Sequence, residues 1–297
     1  MRWIRTRKNI GSISGLSVID LLITLSLMAI LAGAVPATLA PVFDELNVER
    51  TKQQLLQIRN AMVGDIDKIT SGSNRGEFGY VGNVGALPTV AHGGISALLT
   101  KPAALSNYAI VSTTRLGAGW NGPYLPSVFG LDWTKDAWGT ALAYNPTATP
   151  ATLTSYGADR LPGGSGPDSD IVVEIPTTRR RFNLYGVVSK AGGGSWTLPT
   201  QVELNDLDGS GGSSTSLVTL SGTNTFSFSN VSMGRRSVTL YVPTKAFATS
   251  TYGPFIIYPS SNEHLATITP TIAVSLEPEG EEPEGKKPEG EEPEGKK

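Results

Sequence analysis

The feature that most constrains this chain is an apolar run near its N-terminus, residues 16–35, which reads LSVIDLLITLSLMAILAGAV. As a helix the run would span roughly 30 Å, the thickness of the hydrocarbon core of a bilayer. It contains no Lys or Arg but one carboxylate, Asp20. An unpaired charge in hydrocarbon is costly, so an acid there predicts a function and a partner. The nearest candidate partner is the amino group that a cut before Leu16 would create.

The residues before the run differ sharply from it. Residues 1–15 carry four basic side chains and no acid, and they end in the small, flexible sequence GSISG. In a Sec-type signal peptide the small residues of the cleavage site follow the apolar run, whereas here they precede it. Cleavage after Gly15 would therefore leave the apolar helix on the mature protein. The basic residues predict a cytoplasmic N-terminus and an exported remainder. An uncleaved signal anchor with an incidental Asp20 is the alternative.

Gly15 at the cut, apolar Leu16 after it and an acid, Asp20, at the fifth mature position resemble the leader of type IV prepilins. That family usually begins with Phe and carries Glu, so Leu16 and Asp20 are conservative departures from its pattern. The resemblance implies cleavage by a prepilin peptidase and N-methylation of Leu16. It also implies a role for Asp20 in assembly, where the carboxylate would neutralise the N-terminus of the adjacent subunit.

The composition excludes several classes of function. The chain has no Cys, which rules out disulfides, thiolate metal sites and Cys nucleophiles. Without residues 1–15 it has 20 Lys and Arg against 26 Asp and Glu, and no basic patch interleaved with aromatic residues, so no nucleic-acid partner is expected. The two histidines, His92 and His264, are isolated from any Ser and Asp with catalytic spacing. We therefore predict that the chain is not an enzyme.

After the apolar run, the sequence predicts that one long helix continues to about Thr70. Pro36 and Pro41 are expected to kink or interrupt it locally. Beyond them, apolar residues recur mostly at steps of three and four, with charged residues between them: Phe43, Leu46, Leu55, Ile58, Met62, Ile66 and Ile69. We expect residues 16–35 to lie in the membrane and the amphipathic part to pack on a head domain.

Three motifs follow in order: GWNGPYL at 119–125, KDAWG at 135–139 and SYGADRLPGGSGPDSDI at 155–171. They resemble the head of the type II secretion major pseudopilin, general secretion pathway protein G, in which Pro usually stands where this chain has Ala137. With the leader, the resemblance covers about residues 9–175. It implies a type IV pilin-like fold, in which a long N-terminal helix supports a small β-rich head.

The same resemblance implies a structural subunit that assembles with copies of itself into a filament. Minor pseudopilins and an inner-membrane platform with a separate ATPase would be its partners, and protein export across the outer membrane its task. The subunit would cross the inner membrane once, with its head in the periplasm. The alternative is a surface-exposed pilus-like filament whose C-terminal part mediates adhesion.

The third motif suggests a metal site. Three carboxylates within twelve residues, separated by Gly, Ser and Pro, repel one another unless a cation bridges them, and hard oxygen ligands in a flexible loop suit calcium. The resemblance implies the same structural calcium. Asp159 and Asp168 are the candidate side-chain ligands, and Asp170 is a candidate ligand or supporting residue. The alternative is a solvated acidic loop.

Aromatic residues cluster in the head: Trp120, Tyr124, Trp133 and Trp138. Such a cluster could form a carbohydrate platform, but packing in the core of a small β-rich domain is the commoner arrangement. We interpret the cluster as part of the core.

A second body of residues, 177–275, shows alternating segments separated by Gly, Asn and Ser turns. The segments lie at 181–188, 195–204, 217–220, 223–228, 236–242, 255–258 and 266–274. About seven short strands predict an antiparallel, immunoglobulin- or prealbumin-like β-sandwich. LNDLDGSGG lacks the ligands of an EF-hand and is interpreted as a turn. The arginines at 179–181 are interpreted as a solvated linker or strand edge rather than as an anion site.

The predicted organisation is therefore α+β. The domains are a leader at 1–15, a pilin helix at 16–70, a pseudopilin head at 71–176, an all-β sandwich at 177–275 and a tail at 276–297. The tail repeats PEGEE and PEGKK without apolar residues, which predicts disorder.

Overall fold

The computed structural model describes residues 17–65, 68, 77–189, 200–220, 224–243, 249–257, 267–268 and 271–273. Within these ranges a long helix comes first, short helices and small sheets follow, and the C-terminal part is rich in β-strands, so the α+β class is confirmed. The predicted leader (1–15) and tail (276–297) lie outside the described residues.

The first element, α1, is a single helix of 46 residues, Val18–Val63. It continues through Pro36 and Pro41, so an interruption there is wrong, while a kink at either proline stays a prediction. Each proline removes only one main-chain donor, and the flanking turns keep the remaining hydrogen bonds. The predicted end near Thr70 is also wrong. Gly64 leaves the helix at φ 83°, where a Cβ atom would collide with the carbonyl of Glu77.

The C-terminal third of α1 packs against the head. Leu55, Ile58 and Met62 are fully buried, as the spacing of apolar residues predicts, and each such side chain stabilises the fold by about 1.5–3 kcal/mol. Phe43 and Leu46, from the same pattern, are 59% and 60% exposed. These two side chains lie on a part of the helix surface that the head leaves uncovered, although Trp138 of the head contacts Asp44 in the same turn.

The head, residues 77–175, combines short helices with two small sheets. The helices are α2 (Gly79–Val84) and two 3₁₀ turns (Val90–His92 and Gly94–Leu98). A hairpin pairs β1 (Ala109–Val111) with β2 (Leu116–Ala118). The antiparallel sheet contains β3 (Ala143–Asn145), β4 (Ala151–Ser155) and β5 (Ile171–Ile175).

The aromatic cluster belongs to the core, as predicted. Trp133 is buried, and Trp120, Tyr124 and Trp138 pack against the same core. Trp120 and Tyr124 meet edge to face, with ring centroids 5.9 Å apart.

The C-terminal part forms two sheets whose facing apolar side chains share one core. The first sheet contains β7 (Thr200–Leu207), β8 (Ser213–Leu220), β10 (Arg236–Pro243) and β11 (Thr249–Ile257), in the order β11-β10-β7-β8. The second contains β6 (Arg181–Ser189), β9 (Thr225–Ser232), β12 (Thr267–Ile268) and β13 (Thr271–Ala273). The inward residues alternate along the strands, among them Leu184, Val202, Leu204, Phe226, Phe228, Val238 and Leu240.

The sandwich is not wholly antiparallel, contrary to the prediction. Strands β12 and β13 both pair with β6 in parallel. Strand β9 occupies one edge of β6, so β12 and β13 lie along the other edge. The immunoglobulin- or prealbumin-like topology stays a prediction.

The sandwich is packed directly on the head. Leu207, from the end of β7, forms a small apolar cluster with Leu116 and Ala118 of the β1–β2 hairpin. The Ser237 hydroxyl donates a hydrogen bond to the carbonyl of Thr114 at 2.6 Å. Such contacts fix how the β-rich part lies against the head.

Candidate functional site

The N-terminus of α1 carries a capping box that includes the predicted assembly residue. The Oδ2 atom of Asp20 accepts a hydrogen bond from the Ser17 main-chain N–H at 3.2 Å, and Ser17 Oγ accepts one from the N–H of Ile19 at 3.3 Å. A carboxylate in the first helical turn also compensates the positive end of the helix dipole. The structure thus gives Asp20 a partner in its own chain that the sequence analysis did not name. The predicted cleavage site, Gly15–Leu16, lies outside the described residues.

The first turns of α1 expose apolar side chains on all sides. Each is more than half exposed: Val18, Ile19, Leu21, Leu22, Ile23, Leu25, Leu27, Met28 and Ile30. Among the residues that the structure describes, no helix reaches the length and apolar character that crossing a membrane requires. The predicted span covers residues 16–35. Of these, Leu16 lies outside the described residues, and the side chains of residues 31–35 are not described.

The loop between β4 and β5 holds the predicted calcium ligands. Asp159 Oδ1 accepts the N–H of Leu161 at 3.0 Å, and Asp170 Oδ1 accepts the N–H of Gly163 at 3.1 Å. Asp168 ends a short 3₁₀ turn and is exposed. Main-chain donors therefore stabilise two of the carboxylates. This reduces the repulsion among the three carboxylates, which was the reason for expecting a cation.

The fit of this loop to calcium is incomplete. Within the described ranges, no three His, Asp or Glu side chains come together closely enough to hold a metal ion. Asp159, Asp168 and Asp170 supply oxygen atoms of the right chemical type, but they do not converge on one point in this arrangement. The calcium site stays a prediction.

The KDAWG turn has a role that the sequence analysis missed. Asp136 is buried; its Oδ1 accepts the N–H groups of Trp138 and Thr140, and its Oδ2 accepts the Ser155 hydroxyl at 2.6 Å. Ser155 is the first residue of the third motif, so this acid ties the second motif to the third. In the sequence, the signal for this role was the Asp-x-Trp-Gly pattern of the turn.

The same turn holds α1 in place. The Gln54 side chain donates to the carbonyl of Lys135 at 2.6 Å, and the N–H of Ala137 donates to Thr51 Oγ1 at 3.2 Å. The Trp138 indole donates to Asp44 Oδ1 at 3.1 Å. These contacts couple the motif-bearing head to the helix that carries the candidate assembly site.

The GWNGPYL motif joins the other head elements. The Trp120 indole donates to the carbonyl of Ala97 at 2.7 Å. The Tyr124 hydroxyl accepts hydrogen bonds from the Asn83 side chain at 3.1 Å and from the N–H of Asn121 at 3.0 Å. All three motifs are thus structural joints of one small domain.

The sequence of this domain matches the model of a known protein family. Residues 78–174, which contain all three motifs, match the model of the family described as "Type II secretion system (T2SS), protein G". Residues 78–174 form a T2SS protein G domain. The match excludes α1 and the sandwich and covers about a third of the chain. No curated protein matches the chain.

Solved structures add little to the protein G assignment. One similar structure is a variant of BcpA, "the major pilin subunit of Bacillus cereus", at 13% identity and TM-score 0.23, covering 45% of this chain and 38% of that chain. Another is a 9R-lipoxygenase from Cyanothece, at 10% identity and TM-score 0.19, covering 41% and 19%. The chain thus spans less than half the length of either structure, and scores this low support no conclusion about fold or function.

A buried ion pair within the sandwich also contacts the protein G domain. Arg236 has no exposed surface, and its Nε donates to Asp206 Oδ1 at 2.7 Å. Its Nη1 donates to the carbonyl of Gly82 in α2 at 3.3 Å. Burial lowers the pKa of Arg236 to about 10, although Asp206 opposes the shift, so the guanidinium stays charged at neutral pH.

The remaining contacts of this pair complete a closed polar network. The Ser232 hydroxyl hydrogen-bonds both Asp206 and Arg236, and the carbonyl of Met233 accepts Arg236 Nη2 at 2.9 Å. No local sequence pattern reveals this network, because Asp206 lies in the turn motif LNDLDGSGG, while Arg236 opens a strand 30 residues later.

Proposed function

We propose that this chain is a structural, pilin-like subunit that polymerises into a type II secretion pseudopilus, which drives protein export across the outer membrane. The observation that supports it most is a T2SS protein G domain held by its KDAWG turn on a long helix with an apolar, exposed N-terminal part. That combination suits a head displayed by a filament-forming helix.

In this proposal the apolar part of α1 lies in the inner membrane before assembly, with the N-terminus in the cytoplasm and the head in the periplasm. A prepilin peptidase cuts after Gly15 and Leu16 is N-methylated. The helix then moves into the core of the filament, where helices of other copies cover its side chains. Because lipid already covers this surface before assembly, close packing between the helices holds the copies together. The chain itself performs no chemistry; a separate ATPase, the membrane platform and minor pseudopilins belong to the machinery.

The capping box suggests how Asp20 acts in this proposal. Its carboxylate lies 3.2 Å from the N–H of Ser17, one residue beyond Leu16, the proposed first residue of the mature chain. The new amino group would therefore form close to Asp20 of its own chain. Assembly would exchange this local contact for the amino group of a neighbouring copy, so that each carboxylate entering the apolar core has a cationic partner.

Two variants test the proposal. Gly15→Ala is expected to block or slow processing, so the mass of the membrane-bound protein stays that of the full chain. Asp20→Ala is expected to leave membrane insertion intact and to reduce filament yield strongly. Ser17→Ala is the matched control because it removes the helix cap but keeps the carboxylate. Normal processing of Gly15→Ala, or filaments at wild-type yield from Asp20→Ala, would contradict the proposal.

A surface filament whose C-terminal part mediates adhesion is the second candidate. It is favoured by the sandwich, which the protein G match does not include. Because Arg236 and Leu207 pack this part against the head, the full chain has to be tested rather than an excised sandwich. Filaments that bind cells or glycans, in a strain whose secretion does not depend on this chain, would support adhesion. Loss of secretion on deletion of the gene would support the pseudopilus.

A further inference from the structure

A cavity of about 390 Å³ lies where the head meets the linker to the sandwich. Its head side is formed by Gly85–Leu87, Thr89–Ala91, Pro146 and Thr147, and its other side by Arg180 in the linker and Arg181 at the start of β6. The volume falls in the range of small-molecule sites in proteins. Neither the predicted secretion role nor the three motifs use this cavity.

Its charge is one-sided. Arg180 and Arg181 are the only charged residues among the described residues that line it, and neither forms an ion pair with a described acid. Arg180 Nη2 donates to Thr177 Oγ1 at 3.2 Å, and Arg181 Nη1 donates to the carbonyl of Asn230 at 3.2 Å. A guanidinium carries five N–H donors, so most donors of the two side chains have no acceptor among the described residues.

This arrangement costs free energy in the unliganded protein. Arg180 is half-buried, and its Nε atom is buried without a hydrogen-bond acceptor. Burial lowers the pKa of Arg180; the nearby Tyr144 opposes this shift, and the adjacent charge of Arg181 adds to it. Two partly desolvated like charges beside a cavity are relieved by an anion.

We propose that this cavity is a binding site for a phosphate-type oxyanion, held by Arg180 and Arg181. Planar guanidinium groups bind phosphate oxygens through paired, charge-assisted hydrogen bonds. Thr89 Oγ1 accepts the N–H of His92 at 3.3 Å, which leaves the hydroxyl proton for a ligand oxygen. The anion contacts both the head and the linker, and it therefore strengthens the joint between them.

The oxyanion is either free phosphate or the phosphomonoester of a lipid headgroup. Val90, at the cavity wall, is 83% exposed, which places an apolar side chain beside the arginines. The two sources share the same recognition chemistry and differ only in what the phosphate is attached to. The experiment below separates them.

The test uses the full chain in a neutral detergent, with thermal unfolding followed by tryptophan fluorescence. Inorganic phosphate is titrated in one arm; in the other, the micelles contain phosphatidic acid, with phosphatidylcholine as the uncharged reference. At ten times the dissociation constant, the midpoint is expected to rise by about 3–6 °C. A rise with phosphate identifies a free anion, and a rise with phosphatidic acid alone identifies a lipid headgroup.

Two variants and one control variant assign the effect to this cavity. Arg180→Gln with Arg181→Gln is expected to abolish the rise, whereas Arg50→Gln with Lys52→Gln, an equal change of charge at exposed positions of α1, is expected to keep it. Thr147→Glu places a carboxylate at the cavity wall and is expected to abolish the rise without removing either arginine. No rise in the wild type in either arm, or an equal rise in all four proteins, overturns the proposal.

Discussion

Asp206→Asn is the most informative perturbation of the joint between the head and the sandwich. The change removes one charge but keeps a side-chain oxygen where Asp206 accepts the N–H of Leu207 at 2.7 Å. Arg236, which has no exposed surface, then lacks a counter-charge. It keeps neutral acceptors, among them the carbonyls of Met233 and Gly82. The variant therefore removes the charge together with one hydrogen bond, because Asp206 Oδ2 accepts the N–H of Ser232 at 3.0 Å and an amide nitrogen in that place cannot accept it.

The expected loss follows from the burial of the two partners. Removing one partner of a buried ion pair costs about 3–5 kcal/mol of unfolding free energy. The Asp206 side chain is 13% exposed, so water partly reaches the altered position, and we expect the lower end of that range. For a chain of this size the unfolding midpoint falls by roughly 2–4 °C per kcal/mol, which gives about 6–12 °C. Asp206→Asn with Arg236→Met removes both charges and is expected to lie within about 2 kcal/mol of the wild type.

Urea unfolding of the full chain, followed by tryptophan fluorescence, measures these differences. Glu174→Gln, an equal loss of charge at an exposed position of β5, is the control and is expected to change stability by less than about 0.5 kcal/mol. The reasoning is refuted if Asp206→Asn costs less than about 1 kcal/mol, or if adding Arg236→Met makes the protein less stable still.

Three further changes test other parts of the structure. Calcium is expected to raise the melting temperature of the wild type and not of Asp159→Asn with Asp168→Asn; an unchanged wild-type curve with and without chelator would exclude the site. Gly85→Ala, at φ 93° with its new Cβ 2.6 Å from Leu207, should cost about 2–4 kcal/mol of stability, more than Gly139→Ala, which meets only backbone strain at φ 82°. Burial raises the pKa of Asp208, but N–H donors of the turn outweigh it and lower the pKa overall. Stability from this carboxylate is therefore present above the unfolded pKa of about 3.9 and lost as the pH falls through the lower folded value, which an NMR titration of the carboxyl carbon measures directly.

The sequence predicted the elements whose signals are local. The buried residues Leu55, Ile58 and Met62 follow from helical spacing, and the strands of the sandwich follow from alternation that the structure largely retains. The end of α1 was placed too late, because apolar spacing continued past the point at which Gly64 turns away to meet the backbone of Glu77.

The sequence could not predict contacts between distant segments. Asp136 and Ser155 belong to separate motifs, and only the folded sheet brings the carboxylate and hydroxyl together. The ion pair of Asp206 with Arg236 has no local pattern, because each residue also fits a plain turn or strand. Asp20 was expected to bind an amino group, and its nearer donor at Ser17 depends on where the helix begins.

The fixed attachment of the sandwich has a consequence for any polymer of this chain. Helical packing would give every head one orientation, and the contacts through Arg236 and Leu207 would extend that orientation to every sandwich. A filament would then display its outer domains as a regular array rather than as independently tumbling modules. Even a millimolar ligand for one copy could be held by several at once, because neighbouring sites at fixed spacing convert later contacts into intramolecular ones.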